Sequence, residues 1–174
     1  MNKLPNHTAL KEWASCIAAL GRGEQVILIR KGGLADPTFG VEAERFYLFP
    51  TNFHDGGGDV PDVVPITHWA EVVRTWRVRE LETLFQLEPI VVFDRETLET
   101  RYRFRADQSV HVIAVRVHAL PKTTHVKMHE GYGGCRSWVS VDEEIDVDGS
   151  QPVLSAAELN DRIERIDALL AATV

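Results

Sequence analysis

Cysteine is scarce in this chain: Cys16 and Cys135 are the two present in 174 residues. Two thiols cannot build a disulfide framework, and neither belongs to a Cys-x-x-Cys pair, so both read as reduced and zinc is not expected. Long apolar runs are missing too, and no stretch approaches the ~20 residues that cross a bilayer as a helix. Behind Lys3 no apolar signal segment follows, which makes the cytoplasm the expected location. Internal repeats and low-complexity tracts are absent. The glycines do not have the spacing of a phosphate-binding P-loop. His125 and His129 have zinc-ligand spacing, but no Glu follows His125 and glycines stand at 131, 133 and 134.

What is present fits one domain of ordinary size spanning 1–174, with 44% apolar and 26% charged residues. The net charge of −7 is unevenly placed. Residues 142–174 carry nine acids and two bases, whereas residues 1–141 carry 17 of each sign. Overall acidity therefore does not exclude a phosphate-binding face. Two arginine-dense patches lie in the neutral part, Arg74, Arg77 and Arg79, then Arg95, Arg101, Arg103 and Arg105. Interleaved acids make a salt-bridged, solvated surface the plain reading of both.

The pattern predicts a helix from Thr8 to Leu20, with Thr8 as N-cap and Leu10, Trp13, Ala14, Ile17 and Leu20 on one face. Strands are expected over 26–29, 46–49, 69–78, 90–93, 110–120 and 138–141, the fifth central because both its faces are apolar. The segment 70–73 is also compatible with helix. A short helix is expected at 81–85, a second capped by Asp94, and a last one opened by the capping box Ser155-Ala156-Ala157-Glu158. Glycines and prolines at 55–65 read as a loop, and 142–174 as an acidic segment plus helix. Mixed elements without regular alternation predict an α+β fold with a mixed, largely antiparallel sheet, able to curl into a small open barrel and flanked by N- and C-terminal helices.

Three clusters can carry chemistry. Arg30-Lys31-Gly32-Gly33 ends a strand in two glycines, which let backbone N–H groups approach an anion; a plain strand-to-loop turn explains it equally well. Glu42, Glu44, His54 and Asp55 can hold a divalent ion such as Mg or Mn, or supply acid–base groups, yet carboxylates there also suit a solvated face. Arg116 and His118 lie two apart on the central strand and so share a face, marking a polar pocket or a strand end that Pro121 closes. Near the third signature, Gly133-Gly134-Cys135-Arg136-Ser137-Trp138, Arg136 can contact phosphate. Trp138 can stack on a base or fill the core, and Cys135 can act with His118 or His129 as a nucleophile or serve as packing.

Taken together, Ala9-Leu10-Lys11-Glu12-Trp13-Ala14, Ile29-Arg30-Lys31-Gly32-Gly33, Phe46-x-Leu48-x-Pro50-Thr51-x-x-His54, Ala114-Val115-Arg116-Val117 and Gly134-Cys135-Arg136-Ser137-Trp138 resemble a bacterial and archaeal family of domains of unknown function. At position 55 this chain has Asp where the resemblance calls for Gln. The resemblance implies no activity. Strand order is more distantly similar to PUA-like barrels, which bind RNA or modified bases.

The leading expectation is recognition of a nucleic acid or nucleotide, with Arg30, Lys31 and Arg136 on phosphate and Trp138 or Trp76 on a base. A metal-dependent phosphodiester or nucleotide hydrolase built on Glu42, Glu44, His54 and Asp55 is the alternative. A third class is a non-catalytic module whose acidic segment, Asp142 to Asp148, docks a basic protein. Arg30, His54, Arg116 and Arg136 are expected to converge on one concave surface. Neither an enzymatic role nor an oligomeric state follows from the residues.

Overall fold

The computed structural model describes residues 3–4, 7–31, 43–52, 60–104, 109–134 and 136–171. In chain order these form β1 (Thr8–Trp13), α1 (Ala14–Gly21), β2 (Ile27–Arg30), β3 (Arg45–Thr51), β4 (Val63–Val78), α2 (Leu81–Phe85) and a 3-10 turn at Glu88–Ile90. Then come α3 (Arg95–Arg103), β5 (Val110–Lys127), a second 3-10 turn at Glu130–Tyr132, β6 (Trp138–Ser140), β7 (Gln151–Pro152) and α4 (Ala156–Ala171). The strands make one seven-stranded sheet in the order β2-β5-β4-β3-β1-β6, with β7 added on β5. β1 and β3 are parallel and every other pair is antiparallel. The fold is therefore α+β with a mostly antiparallel, unclosed sheet flanked by helices, as the pattern predicts.

Both faces of the sheet are buried near its middle, and on β1 and β3 successive residues alternate between two cores. On β3, Phe46 and Leu48 join the larger core with α1, α2, α3 and α4, while Tyr47 and Phe49 join a smaller one with Val64, Ile66 and Tyr132. On β1, Leu10 enters the larger core and Ala9 the smaller. Thr8–Trp13 is a strand, not the opening turns of a helix, because parallel pairing to β3 and antiparallel pairing to β6 override its helical spacing. The helix starts only at Ala14.

Other boundaries move for local reasons. Ile90–Phe93 is not a strand: a 3-10 turn ends at Ile90, and the Val92 N–H donates to the buried Gln25 Oε1 at 2.9 Å. The expected loop at 55–65 lies outside the described residues over 55–59, but Val63–Pro65 already belongs to β4. Pro65 is tolerated because, among the described residues, the β3 pairing covers only Trp69–Glu71 and gives the other side of Pro65 no ladder to complete. Pro121 does not end β5, which runs on to Lys127. Asp94 caps α3 as expected, its Oδ1 accepting from Thr97 N at 2.8 Å. The Ser155–Glu158 box opens α4, with Ser155 Oγ accepting from Glu158 N at 3.2 Å. Among the described residues no helix is long and apolar enough to cross a membrane.

Candidate functional site

Glu12 shares a face of β1 with Leu10 and so points toward the larger core, where its side chain has no solvent exposure. A lone carboxylate there would be prohibitively costly, and this one is surrounded. Arg30, at the end of β2, donates from Nη1 to Oε2 at 3.0 Å. Arg101 of α3 donates from Nη2 to Oε1 at 3.0 Å and from Nη1 to Oε2 at 3.4 Å, and the Trp13 N–H donates to Oε1 at 2.8 Å. Burial pushes the Glu12 carboxyl up, but Arg101 and Arg30 outweigh it and hold it at about 2. Glu12 is thus ionised at any working pH.

The cluster bridges the two edges that the open sheet leaves apart. Beyond Glu12, Arg30 donates from Nη2 to Ser137 Oγ at 2.8 Å, just before β6, the opposite edge strand. Arg101 Nη1 donates to the Ile29 carbonyl of β2 at 2.7 Å, and its guanidinium lies 4.0 Å from the Phe93 ring centroid and 5.0 Å from that of Trp13. Lys31 donates from Nζ to the Tyr102 carbonyl. Lys11 ties down the segment before β6, donating from Nζ to the carbonyls of Tyr132 at 2.7 Å and Gly134 at 2.9 Å. Gly134 has a φ of 75°, a turn that suits glycine, and Arg136 is exposed just beyond it. Arg30 and Arg101 thus hold one buried carboxylate, while Lys31 bonds the carbonyl of Tyr102, next to Arg101, and the exposed Arg136 precedes Ser137 in sequence.

Arg116 and His118 do share a face, but theirs is a second cluster. Glu71 Oε1 accepts from Arg116 Nη1 at 3.1 Å and lies 3.5 Å from His118 Nε2, while Arg45 Nε is 3.4 Å from Glu71 Oε2. The His118 ring stacks on Trp69 at 4.0 Å and 5°, and burial outweighs Glu71 in lowering its pKa. Arg30 pairs in register with His111, five positions from Arg116, so the two arginines leave the sheet on opposite faces. The expected four-residue convergence therefore does not form around Arg116. His54 lies outside the described residues, and of the other three Arg30 alone meets the Arg136 segment.

The remaining expectations divide similarly. Trp138 is 8% exposed and edge-on to Phe46 at 5.1 Å, so its ring packs the core instead of presenting a face. Trp76 donates from Nε1 to Asp167 at 2.9 Å and is half-buried against α4. Glu44 is exposed before β3, whereas Glu42, Asp55, Gly32, Gly33 and Cys135 lie outside the described residues. The arginine patches are largely salt-bridged, Arg74 to Asp167 at 2.7 Å and Arg103 to Glu99 at 2.7 Å, while Arg105 lies outside. Sequence reasoning misses Glu12 and the role of Arg101. The helical reading of 8–13 hides Glu12, since only strand alternation puts it on the Leu10 face.

The family described as Domain of unknown function (DUF1802) matches residues 9–165. The chain belongs to this family. That agrees with the resemblance carried by its signatures, which fall along the same stretch. No curated protein matches the chain. Among solved structures, a tyrosine-to-phenylalanine mutant of ZmASCH from Zymomonas mobilis is similar with a TM-score of 0.51 at 9% identity, over 90% of this chain and 96% of that one. A serine-to-alanine mutant of the same protein gives 0.49 at 8%, over 93% and 99%. The likeness is one of fold, and ASCH domains are PUA-like barrels, in keeping with the more distant similarity of strand order.

Proposed function

We propose that this domain recognises a nucleic acid or nucleotide through phosphate, at the seam where β2 meets the segment before β6. The observation that carries the reading is the gathering of cations around Glu12. One permanently ionised, buried carboxylate holds two guanidiniums in fixed orientation. Lys31, bonded to the carbonyl of Tyr102, and the exposed Arg136, which precedes Ser137, carry further positive charge on the adjoining segments. The cluster is mostly shielded from water, with Arg30 14% and Arg101 16% exposed, so its field is weakly screened and emerges at the seam. An anion with several oxygens suits planar guanidinium donors that are already oriented.

The chain's acidity does not oppose this reading, because the whole net charge of −7 comes from residues 142–174. Nucleic-acid binding is also the class of function that PUA-like barrels suggest. The test is fluorescence anisotropy with labelled single-stranded and duplex DNA and RNA at rising salt. Binding should be strongest at low salt and fall linearly on a logarithmic scale as counterions compete. No binding of any of these probes at low salt would overturn the reading.

A further inference from the structure

We propose that the phosphate site at the seam continues across the sheet along Arg30, His111 and Arg77, so that its ligand is a single-stranded oligonucleotide and not a mononucleotide. This rests on the reading of the seam as a phosphate site. In the sheet, Arg30 of β2 is directly opposite His111 of β5, which is directly opposite Arg77 of β4. Directly opposed residues project to one face, so three basic side chains form a row across three adjacent strands. With neighbouring strands ~4.8 Å apart, the row is about 10 Å long between its outer Cα atoms. A single phosphate group cannot reach both ends.

Alternation along β4 selects Arg77 for this row and excludes its neighbours. Arg74 and Trp76 both bond Asp167 and so turn toward α4. Arg77 turns the other way, and its Nε donates to the hydroxyl of the buried Ser109 at 3.1 Å. That contact anchors the guanidinium at the end of the row. Accessibility rises along the row, from the half-buried Arg30 and His111 to the exposed Arg77.

Tyr102 ties together the strand ends beside the row. Its hydroxyl donates to the Arg79 carbonyl after β4 at 2.6 Å, and its own carbonyl accepts from Lys31 after β2. Lys31 and Arg79 are therefore held at the same margin as Arg30 and Arg77. Together they make a basic strip instead of a point site, the form that follows a nucleic-acid backbone.

The experiment compares thymidine monophosphate with an oligothymidylate of about twelve nucleotides, within the site sizes of single-strand binders. Wild type, Arg77→Ala, Arg77→Lys and Arg136→Ala are each titrated at several salt concentrations. Arg77→Ala should weaken oligonucleotide binding severalfold and reduce its salt slope by about 0.7, one phosphate's share for a single strand. Affinity for the mononucleotide should not change, and Arg77→Lys should keep most of the slope. If Arg77→Ala leaves oligonucleotide affinity and slope intact while Arg136→Ala lowers both, the extension along the sheet is wrong and the seam reading stands. If neither probe binds wild type at low salt, the seam reading fails and takes the extension with it.

Discussion

Arg30 Nη1 and Glu12 Oε2 are 3.0 Å apart, although their strands are not neighbours in the sheet. β2 is one end of the strand order and β1 lies next to the other, so this pair and Arg101 hold a side-chain seam where the backbone leaves a gap. The arrangement is a buried Arg–Glu–Arg triad, whose value lies in fixing one geometry more than in net stability.

Removing one arm should therefore be costly, and removing the charge altogether should not. Arg101→Met leaves Glu12 buried with half its compensation and is expected to destabilise the fold by about 3–5 kcal/mol in urea titration. Adding Glu12→Leu and Arg30→Met should recover most of that loss. A cost below about 1 kcal/mol for Arg101→Met would show that the seam is not held in this way.

The depressed Glu12 pKa fixes an acid limb. Its folded value of about 2 lies below the ordinary 4.5, so its contribution is complete above pH 4.5 and is lost as the pH falls toward 2. The full effect is on the order of 3 kcal/mol. Urea midpoints of wild type should thus fall more steeply across this window than those of Glu12→Gln. Parallel curves would contradict the assignment.

Cys16 is fully buried, and burial pushes its thiol well above the ordinary range, with Gln25 Nε2 3.2 Å from its sulfur. In a Cys135→Ser variant the remaining thiol should be inert to a disulfide reagent until urea unfolds the chain. Labelling of the native protein on mixing would place the thiol elsewhere than in the core.

Trp138 gives a prediction that separates packing from binding. Trp138→Ala removes a large ring from the contact with Phe46 and is expected to cost about 3–5 kcal/mol. Trp138→Phe should keep oligonucleotide affinity near wild type. A selective loss of affinity in the Phe variant, with stability unchanged, would return the indole to the ligand.

Much of the fold is readable in the sequence because its signals are local. Asp94 and Ser155 announce their helices through caps that depend on neighbours three residues away. Val110 onward declares a strand paired on both sides by being apolar on both faces, although β5 is second from the end of the order and not central. The candidate site is only half readable. The glycines near Arg30 and Arg136 in sequence mark both residues, but the Ser137 hydroxyl that accepts from Arg30 is 107 residues away in sequence. Glu12 is not readable at all. Its meaning depends on whether 8–13 is helix or strand, and distant β3 partners decide that, from Ala9 opposite Tyr47 to Trp13 opposite Thr51. Arg101 looks like one member of a solvated patch, and only tertiary packing turns it onto Glu12.

The most direct measurement compares charge reversal at the seam with charge reversal far from it. Oligothymidylate affinity is titrated at low salt for Arg136→Glu, Lys31→Glu and Arg165→Glu, the last an exposed position on α4. Each seam variant should lose about tenfold or more in affinity, because a phosphate contact becomes a repulsion, while Arg165→Glu stays within about twofold. Equal losses in all three variants, or none at the seam, would contradict a phosphate site built around Glu12.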